Sequence, residues 1–241
     1  MTPLLIVAAG VGALVAGVFV LRSFGPRYRV GRLLSTTPKV SVPEAVALAE
    51  RGAARYVRVD GRIDSEEELE DSDHRPLVFR RTRLEARGRS GWEAFEDSRE
   101  EVPFELHEGL AAIRIDAAAL DAGLVVVPRE SAGVAADLAD RVPDGVAADT
   151  PVRARIEQIS SVEHAIVLGV PVAEDGHGPR LTAGLGRPLV LTTLEIPEAM
   201  RVLAGGQTLR PRIAAVLLAS GTALVALGLV WAILGAVGIG R

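Results

Sequence analysis

The sequence predicts an α+β, mainly β fold, in which a strand-rich, barrel-like soluble domain lies between two transmembrane helices. Two observations carry this prediction. Residues 2–21 and residues 213–240 contain no charged side chain. Between these apolar runs, short segments alternate apolar and polar residues with the period of two that is typical of half-buried strands.

Both apolar runs are long enough to cross a membrane. A helix needs about 20 apolar residues to span a hydrocarbon core of about 30 Å. A central arginine would cost about 2.5–3.5 kcal/mol on membrane insertion, so the absence of charged residues favours insertion of both runs. We assign residues 2–21 and residues 213–237 to transmembrane helices. A cleaved signal peptide is a weaker interpretation of the first run, because no basic residue precedes it and the run is too long.

Small residues recur at every fourth position in both runs. They are Ala9, Ala13 and Gly17 in the first, and Gly228, Ala232, Ala236 and Gly240 in the second. Small side chains let the backbones of two membrane helices approach closely. The pattern predicts that the two spans pack on each other, or on copies of themselves in a homo-oligomer.

Basic residues flank the spans on the side of the central domain. Residues 22–40 form a basic juxtamembrane linker that contains Arg22, Arg27, Arg29, Arg32 and Lys39. Such a cluster either fixes the topology or attracts anionic lipid. Arg201, Arg210 and Arg212 precede the second span, and Arg241 alone follows it. The charges predict that the central domain of this integral membrane protein is cytoplasmic.

The soluble domain is expected over residues 41–206, either as one unit or as two β subdomains, residues 41–128 and 150–206. Ser41 and Glu44 form a capping-box pattern that begins a helix ending near Gly52. Further helices are expected over residues 131–140, after Ser131, and from Ile196. Strands are predicted over residues 56–63, 76–86, 104–107, 113–116, 124–128, 152–159, 164–173 and 188–194. Trp92 and Phe95 are expected in the core.

Several chemistries are excluded or disfavoured. Cysteine is absent, which removes disulfides, thiol catalysis and cysteine-ligated zinc. The net charge of −4 argues against a nucleic-acid partner. His107-Glu108 begins like a zinc-binding helix, but Ala111 replaces the second histidine and the segment is predicted as a strand. The acidic residues 64–73 and the glycine-rich residues 174–186 are interpreted as loops. The sequence therefore assigns no catalytic residue, cofactor or metal site.

Several short motifs occur in a characteristic order between the two apolar runs. They are Val59-Asp60-Gly61-Arg62-Ile63, an arginine-bearing strand followed by Trp92, Val102-Pro103-Phe104-Glu105-Leu106, Ile113-Arg114-Ile115-Asp116, and Val167-Leu168-Gly169-Val170. In this order the chain resembles the membrane region of the mitochondrial ubiquitin ligases called GIDE, MULAN or MAPL. The defining segment of that family is the GIDE domain, also called BAM for beside-a-membrane.

The resemblance implies the anchored domain alone, as in prokaryotic relatives. The eukaryotic ligases add a zinc-bound RING, which a chain without cysteine cannot form, so we expect no ubiquitin transfer. The family domain is thought to recognise partners or to shape membrane events. We therefore expect a membrane-anchored, non-catalytic module that binds a protein or lipid. The alternatives are an enzyme with a site in the loop around His177, or an accessory subunit of a membrane complex.

Overall fold

The fold is α+β and strand-rich with a barrel, as the sequence predicts. The structure is a computed structural model that describes residues 2–23, 25–71, 73–89, 91–121, 123–174, 176, 178–205, 209–236 and 238. It divides into two compact units. One unit comprises Met1–Arg29 and Leu203–Arg241, and the other comprises Val30–Val202.

Helices and strands follow one another in this order along the described residues. The helices are α1 (Thr2–Ser23), α2 (Gly25–Thr36), α3 (Val42–Glu50), α4 (Ile196–Ala204) and α5 (Leu209–Ala236). The strands are β1 (Lys39–Val40), β2 (Val57–Asp64), β3 (Leu69–Glu70), β4 (Pro76–Gly88), β5 (Gly91–Glu101), β6 (Glu105–Glu108), β7 (Ala111–Ile115), β8 (Leu124–Val125), β9 (Arg129–Val134), β10 (Pro151–Ser160), β11 (His164–Glu174), β12 (Gly178–Thr182) and β13 (Val190–Thr192).

In the first unit, α1 and α5 pack against each other in opposite directions. Gly10 lies against Val225, whereas Gly17 lies against Leu218. A Cβ atom on Gly10 would lie 2.9 Å from the carbonyl oxygen of Gly221, and a Cβ on Gly221 would lie 2.9 Å from that of Gly10. Glycine is required at both positions because the two backbones approach this closely.

The contact face differs in part from the predicted small-residue faces. Gly17 and Gly228 are buried, but Ala9 and Ala232 are exposed. Four residues turn a helix by about 400°, so a four-residue repeat drifts away from a straight partner. The observed face alternates steps of four and three through Gly10, Leu14 and Gly17. Gly240 and the side chain of Ala236 lie outside the described residues.

One helix in the described part of the chain has the length and composition of a membrane span. Its segment Ile213–Ile233 has 21 residues and a mean hydropathy of 2.4. The apolar segment Leu4–Val20 of α1 is shorter than the roughly 20 residues that a span requires. The structure therefore contains one candidate membrane helix, and the first span remains a prediction.

Five strands of the second unit close into a barrel. β2 pairs with β6, β6 with β7, and β12 with β11, all antiparallel. β7 and β12 are parallel, and β11 closes the ring by pairing antiparallel with β2. A five-stranded Greek-key barrel is the architecture of the OB-fold. β1, β13 and β8 extend the same sheet beyond the ring.

Alternation of side chains fills the barrel with apolar residues. Val59 and Ile63 of β2 and Leu106 of β6 belong to one buried cluster. Helix α3 contributes Val42 and Ala45 to the same cluster. Its predicted capping box is confirmed, because the Ser41 hydroxyl accepts from the Glu44 amide at 3.3 Å and the Glu44 carboxylate accepts from the Ser41 amide at 2.9 Å.

A second sheet, here called the outer sheet, consists of β3, β4, β5, β9 and β10. β4 pairs with β10 along most of its length, β9 pairs with the other edge of β10, and β3 and β5 pair with β4. In sequence, β3–β5 lie between β2 and β6 of the barrel, and β9–β10 lie between β7 and β11. Residues 41–128 and residues 150–206 therefore each contribute strands to the barrel sheet and to the outer sheet.

Several sequence predictions about secondary structure are wrong. The expected helix over residues 131–140 is strand β9 followed by a 3-10 helix, Ala135–Arg141, because β9 pairs with β10 and places Ser131 opposite Ala154. Residues 174–186, interpreted above as a loop, contain strand β12, because these residues pair with β11 and β7. Local sequence did not reveal β9 because its partner β10 lies about 20 residues away. The basic linker, residues 22–40, contains helix α2.

The predicted core position of Trp92 is also wrong. Trp92 is half-buried on β5, which lies at an edge of the outer sheet, and it is absent from the apolar cluster. Its ring lies 4.6 Å from the Arg153 guanidinium carbon and 5.8 Å from that of Arg87. The ring therefore packs between arginines instead of filling the barrel.

Candidate binding groove on the barrel

A row of charged residues crosses the outer surface of the barrel. Asp64 of β2 is the register partner of Glu105, and Glu105 is the partner of Arg114. Arg114 is in turn the partner of Arg180 on β12. Neighbouring strands lie about 4.8 Å apart, so the row spans about 14 Å. It places two carboxylates beside two guanidinium groups.

The acidic half of this row lies in an open groove of about 400 Å³. Loop residues after β2 and before β6 form its wall. The lining residues are Asp64, Ser65, Glu66, Glu67, Pro103, Phe104, Glu105, His107 and Arg114. The Ser65 hydroxyl lies 2.6 Å from the carbonyl oxygens of both Glu67 and Pro103, and so joins the two loops.

A second hollow of about 330 Å³ is lined by two arginines, Arg114 and Arg180, and by two carboxylates, Glu101 and Asp116. Arg114 also lines the first groove, so the two hollows are neighbours. Both carboxylates have partners, because Asp116 accepts a hydrogen bond of 2.5 Å from the Thr182 hydroxyl and Glu101 accepts one of 2.6 Å from Arg99. The combined surface has an acidic end and an end where Arg114 and Arg180 lie beside paired carboxylates, and we call it the charged groove.

His107 lies among the carboxylates of the charged groove. Its Nε2 atom is 3.4 Å from Glu105 and 3.8 Å from Asp64. The sequence placed His107 correctly on a strand, but it gave no sign of this cluster, because Asp64 comes from a strand 43 residues earlier.

The acidic run, residues 64–73, divides into two parts with different roles. Its first part lines the groove, whereas Asp71 accepts hydrogen bonds from the amides of Asp73 and Arg75 and from Gln158. These bonds, the Arg75 amide foremost, lower the pKa of Asp71. Asp71 is therefore part of a structural turn.

The other histidines do not join this site. His74 is exposed beside Glu70, and His164 lies on β11 opposite Arg62. His177, around which the alternative enzyme site was predicted, lies outside the described residues. Within the part of the chain that the structure describes, no group of three histidine or acidic residues could hold a metal ion.

Comparison with protein-family models, with curated proteins and with solved structures gives no match to this chain. The arrangement of the five barrel strands corresponds to that of the OB-fold. OB-fold barrels bind ligands across the face of their second and third strands, which correspond here to β6 and β7. The charged groove lies on this face, but a shared barrel does not by itself establish a shared function.

Proposed function

We propose that the chain is a two-span integral membrane protein whose barrel is a protein-interaction module, and that the charged groove binds the partner. One observation carries this proposal: an open surface across β2, β6, β7 and β12 has the carboxylates of Asp64 and Glu105 at one end and the guanidinium groups of Arg114 and Arg180 at the other, where the carboxylates of Glu101 and Asp116 are already paired. Small-molecule sites are mostly enclosed and apolar. Opposed charges on an open surface instead select and orient a partner of complementary charge.

The packing of α1 on α5 supports the proposed anchoring. If Ile213–Ile233 crosses a membrane, the antiparallel contact through Gly10 and Gly221 lets α1 cross beside it. Two antiparallel spans place both ends of the chain on one side and the central domain on the other. The arginines that flank the spans favour a cytoplasmic central domain in a bacterial or archaeal cell membrane. The resemblance to the GIDE domain supports the same class of anchored module.

The charges of the groove also indicate the chemistry of the partner. Asp64 and Glu105 attract lysine or arginine side chains, and Arg114 and Arg180 attract carboxylates. We therefore expect a protein segment in which basic residues are followed by acidic residues. Such a partner would associate rapidly at low ionic strength and more slowly as salt screens the charges.

Site-specific crosslinking of the full chain in its membrane tests the proposal. A photoreactive amino acid at Ala112, which neighbours His107 across β6 and β7, should capture a discrete partner. Glu105→Arg should abolish the crosslink by placing a like charge against the basic part of the partner. Glu130→Arg on exposed strand β9 makes the same charge change away from the groove and should leave the crosslink intact.

Equal crosslinking in the Glu105→Arg variant and in the wild type would contradict the assignment of the groove. Captured lipid, in place of protein, would assign the module to the membrane surface. A partner that copurifies in fixed proportion would identify the chain as an accessory subunit of a membrane complex.

A further inference from the structure

Helix α2 carries exposed basic residues beside a buried apolar side. Val30, Leu33 and Leu34 are buried. Tyr28 and Arg32 are exposed, and at 100° per residue they fall on the opposite side of the helix, whereas exposed Arg29 lies on the flank next to Leu33. Arg27 is exposed in the first turn, on the same side of the helix as Leu34. These four exposed residues, Arg27, Tyr28, Arg29 and Arg32, are called the basic face.

The charge around the basic face differs in sign from the charge of the whole chain. The chain has a net charge of −4, yet its first acidic residue is Glu44. Every charged side chain before that position is basic: Arg22, Arg27, Arg29, Arg32 and Lys39. No carboxylate in this segment opposes the arginines of α2, so the basic face is complementary to an anionic surface.

Chain length keeps the basic face close to the end of α1. Arg27 follows Ser23 by four residues, which reach at most about 14 Å when fully extended. Arg32 lies five residues further along α2, an axial rise of about 7.5 Å. Headgroups add about 5–7 Å to each side of the hydrocarbon core, and charges act over a Debye length of about 8–10 Å. If α1 enters the membrane, as proposed above, these arginines stay within reach of its headgroups.

We propose that the basic face of α2 binds the phosphate groups of anionic phospholipids. A guanidinium group offers paired donors that match phosphate oxygens. A tyrosine ring suits the boundary between headgroups and acyl chains, which gives Tyr28 a role beside the arginines. Because Val30, Leu33 and Leu34 are already buried, α2 cannot insert an apolar face into the bilayer. Binding therefore depends on charge, and salt weakens it.

Lipid retention by the full chain tests this proposal. The chain is purified from detergent micelles that contain equal amounts of phosphatidylglycerol and phosphatidylcholine, and the retained lipids are quantified by mass spectrometry at low and high salt. Each basic residue near an anionic surface strengthens binding about 5-fold. The wild type should therefore retain severalfold more phosphatidylglycerol than phosphatidylcholine at low salt, and less of this preference should remain at high salt.

Two triple variants make the test specific. Arg27→Gln, Arg29→Gln and Arg32→Gln together should bring the retained lipids to the proportion of the mixture. The matched control, Arg51→Gln, Arg55→Gln and Arg89→Gln, removes the same charge from exposed positions outside α2 and should keep the preference. If the first triple variant does not fold, the single change Arg29→Glu should still reduce the preference.

Equal preference for phosphatidylglycerol in the α2 variants and the wild type would overturn the proposal, as would a preference unaffected by salt. Alkaline extraction of native membranes separates this failure from failure of the proposed anchoring. Release of the wild-type chain would refute the anchoring on which the lipid site rests. A chain that resists extraction but retains both lipids equally would refute the lipid site alone.

Discussion

The barrel and the outer sheet consist of similar strands but are stabilised by different interactions. The barrel encloses a cluster of aliphatic and aromatic side chains that includes Ile63, Leu106 and Ile113, all nearly inaccessible to solvent. The outer sheet carries a ladder of ion pairs across its strands. These pairs are Arg80–Glu100, Arg81–Asp97, Arg83–Asp97 and Arg153–Glu85. The barrel depends mainly on apolar burial, whereas the outer sheet combines its backbone ladder and ion pairs with a few buried apolar side chains, among them Leu84 and Val152.

The outer sheet reaches the apolar cluster at one end only. Val78 and Phe79 of β4 and Ile159 of β10 belong to the cluster. Further along, β4 presents Arg81 and Arg83 to Asp97 of β5. Partly exposed ion pairs contribute about 0–1 kcal/mol each, less than a buried aliphatic side chain. We therefore expect the stability of the outer sheet to fall with distance from the barrel.

The largest expected effect comes from emptying a position in the barrel core. Leu106→Ala should lower the free energy of unfolding by about 2–5 kcal/mol, because Leu106 is fully buried and its loss leaves a cavity. Hydrogen exchange of β2 and β6 amides in the full chain would measure this loss. Leu110→Ala at the exposed tip of the same β6–β7 hairpin is the matched control and should change exchange little. Equal acceleration of exchange in the Leu106→Ala and Leu110→Ala variants would show that Leu106 does not contribute to a packed core.

The barrel should lose stability at alkaline pH through Tyr56, which precedes β2. Its hydroxyl donates to the Pro188 carbonyl at 2.7 Å, and burial raises its pKa from 10.0 to about 12. The folded state therefore keeps a proton that the unfolded state loses first. This contribution is present below pH 10 and is lost as the pH rises toward 12, by roughly 2–3 kcal/mol. Denaturation against pH would measure it, and Tyr56→Phe should flatten the slope between pH 10 and 12.

Trp92 on β5 provides a smaller effect in the outer sheet. Trp92→Ala removes its contacts with Arg153 and Arg87, and should cost about 1–2 kcal/mol because each exposed cation–π contact contributes about 0.5–1 kcal/mol. Hydrogen exchange should accelerate in β4 and β5 but not in β2 and β6. A loss of about 3–5 kcal/mol, the value for a core aromatic, would show that the two regions share one core.

The smallest expected effect on stability is the loss at low pH that follows protonation of the Asp97 carboxylate. The Arg81 side chain donates two hydrogen bonds of 2.8 Å to its carboxylate, and these bonds lower the pKa of Asp97. Its contribution is therefore present above the unfolded value of about 3.9 and is lost as the pH falls further. Solvent screening limits it to at most about 1 kcal/mol. The Asp97→Asn variant should lose the acid dependence of β4 and β5 exchange, whereas an unchanged profile would assign that dependence to other carboxylates.

Prediction from sequence succeeded where the signal was local. The capping box of Ser41 and Glu44 and the alternation around Phe104 and Leu106 were sufficient to place α3 and β6. Prediction failed where distant partners decide the outcome. Ser131 resembles a helix cap, but pairing with β10 places it in a strand. Trp92 has a large apolar side chain that is typical of a core, but it lies on an edge strand, where arginines cover its ring.

The candidate site was less predictable than the fold, because its residues are ordinary charged positions on separate strands. Glu105 and Arg114 appear in the sequence as the polar half of alternating strands, whereas Asp64 and Arg180 fall in segments interpreted as loops. Barrel register makes them one row. No local pattern records the pairing of β2 with β6 or of β7 with β12, because these strands lie far apart in the sequence.

Composition and local periodicity establish the apolar terminal segments, the mainly β character, the basic charge before Glu44 and the absence of cysteine chemistry. These properties do not depend on which strands pair. Strand pairing in the folded domain produces the barrel closure, the division between an apolar core and a charged outer sheet, and the charged groove. Each of these depends on contacts between residues far apart in the chain, whose pairing is selected by the packing of the whole domain.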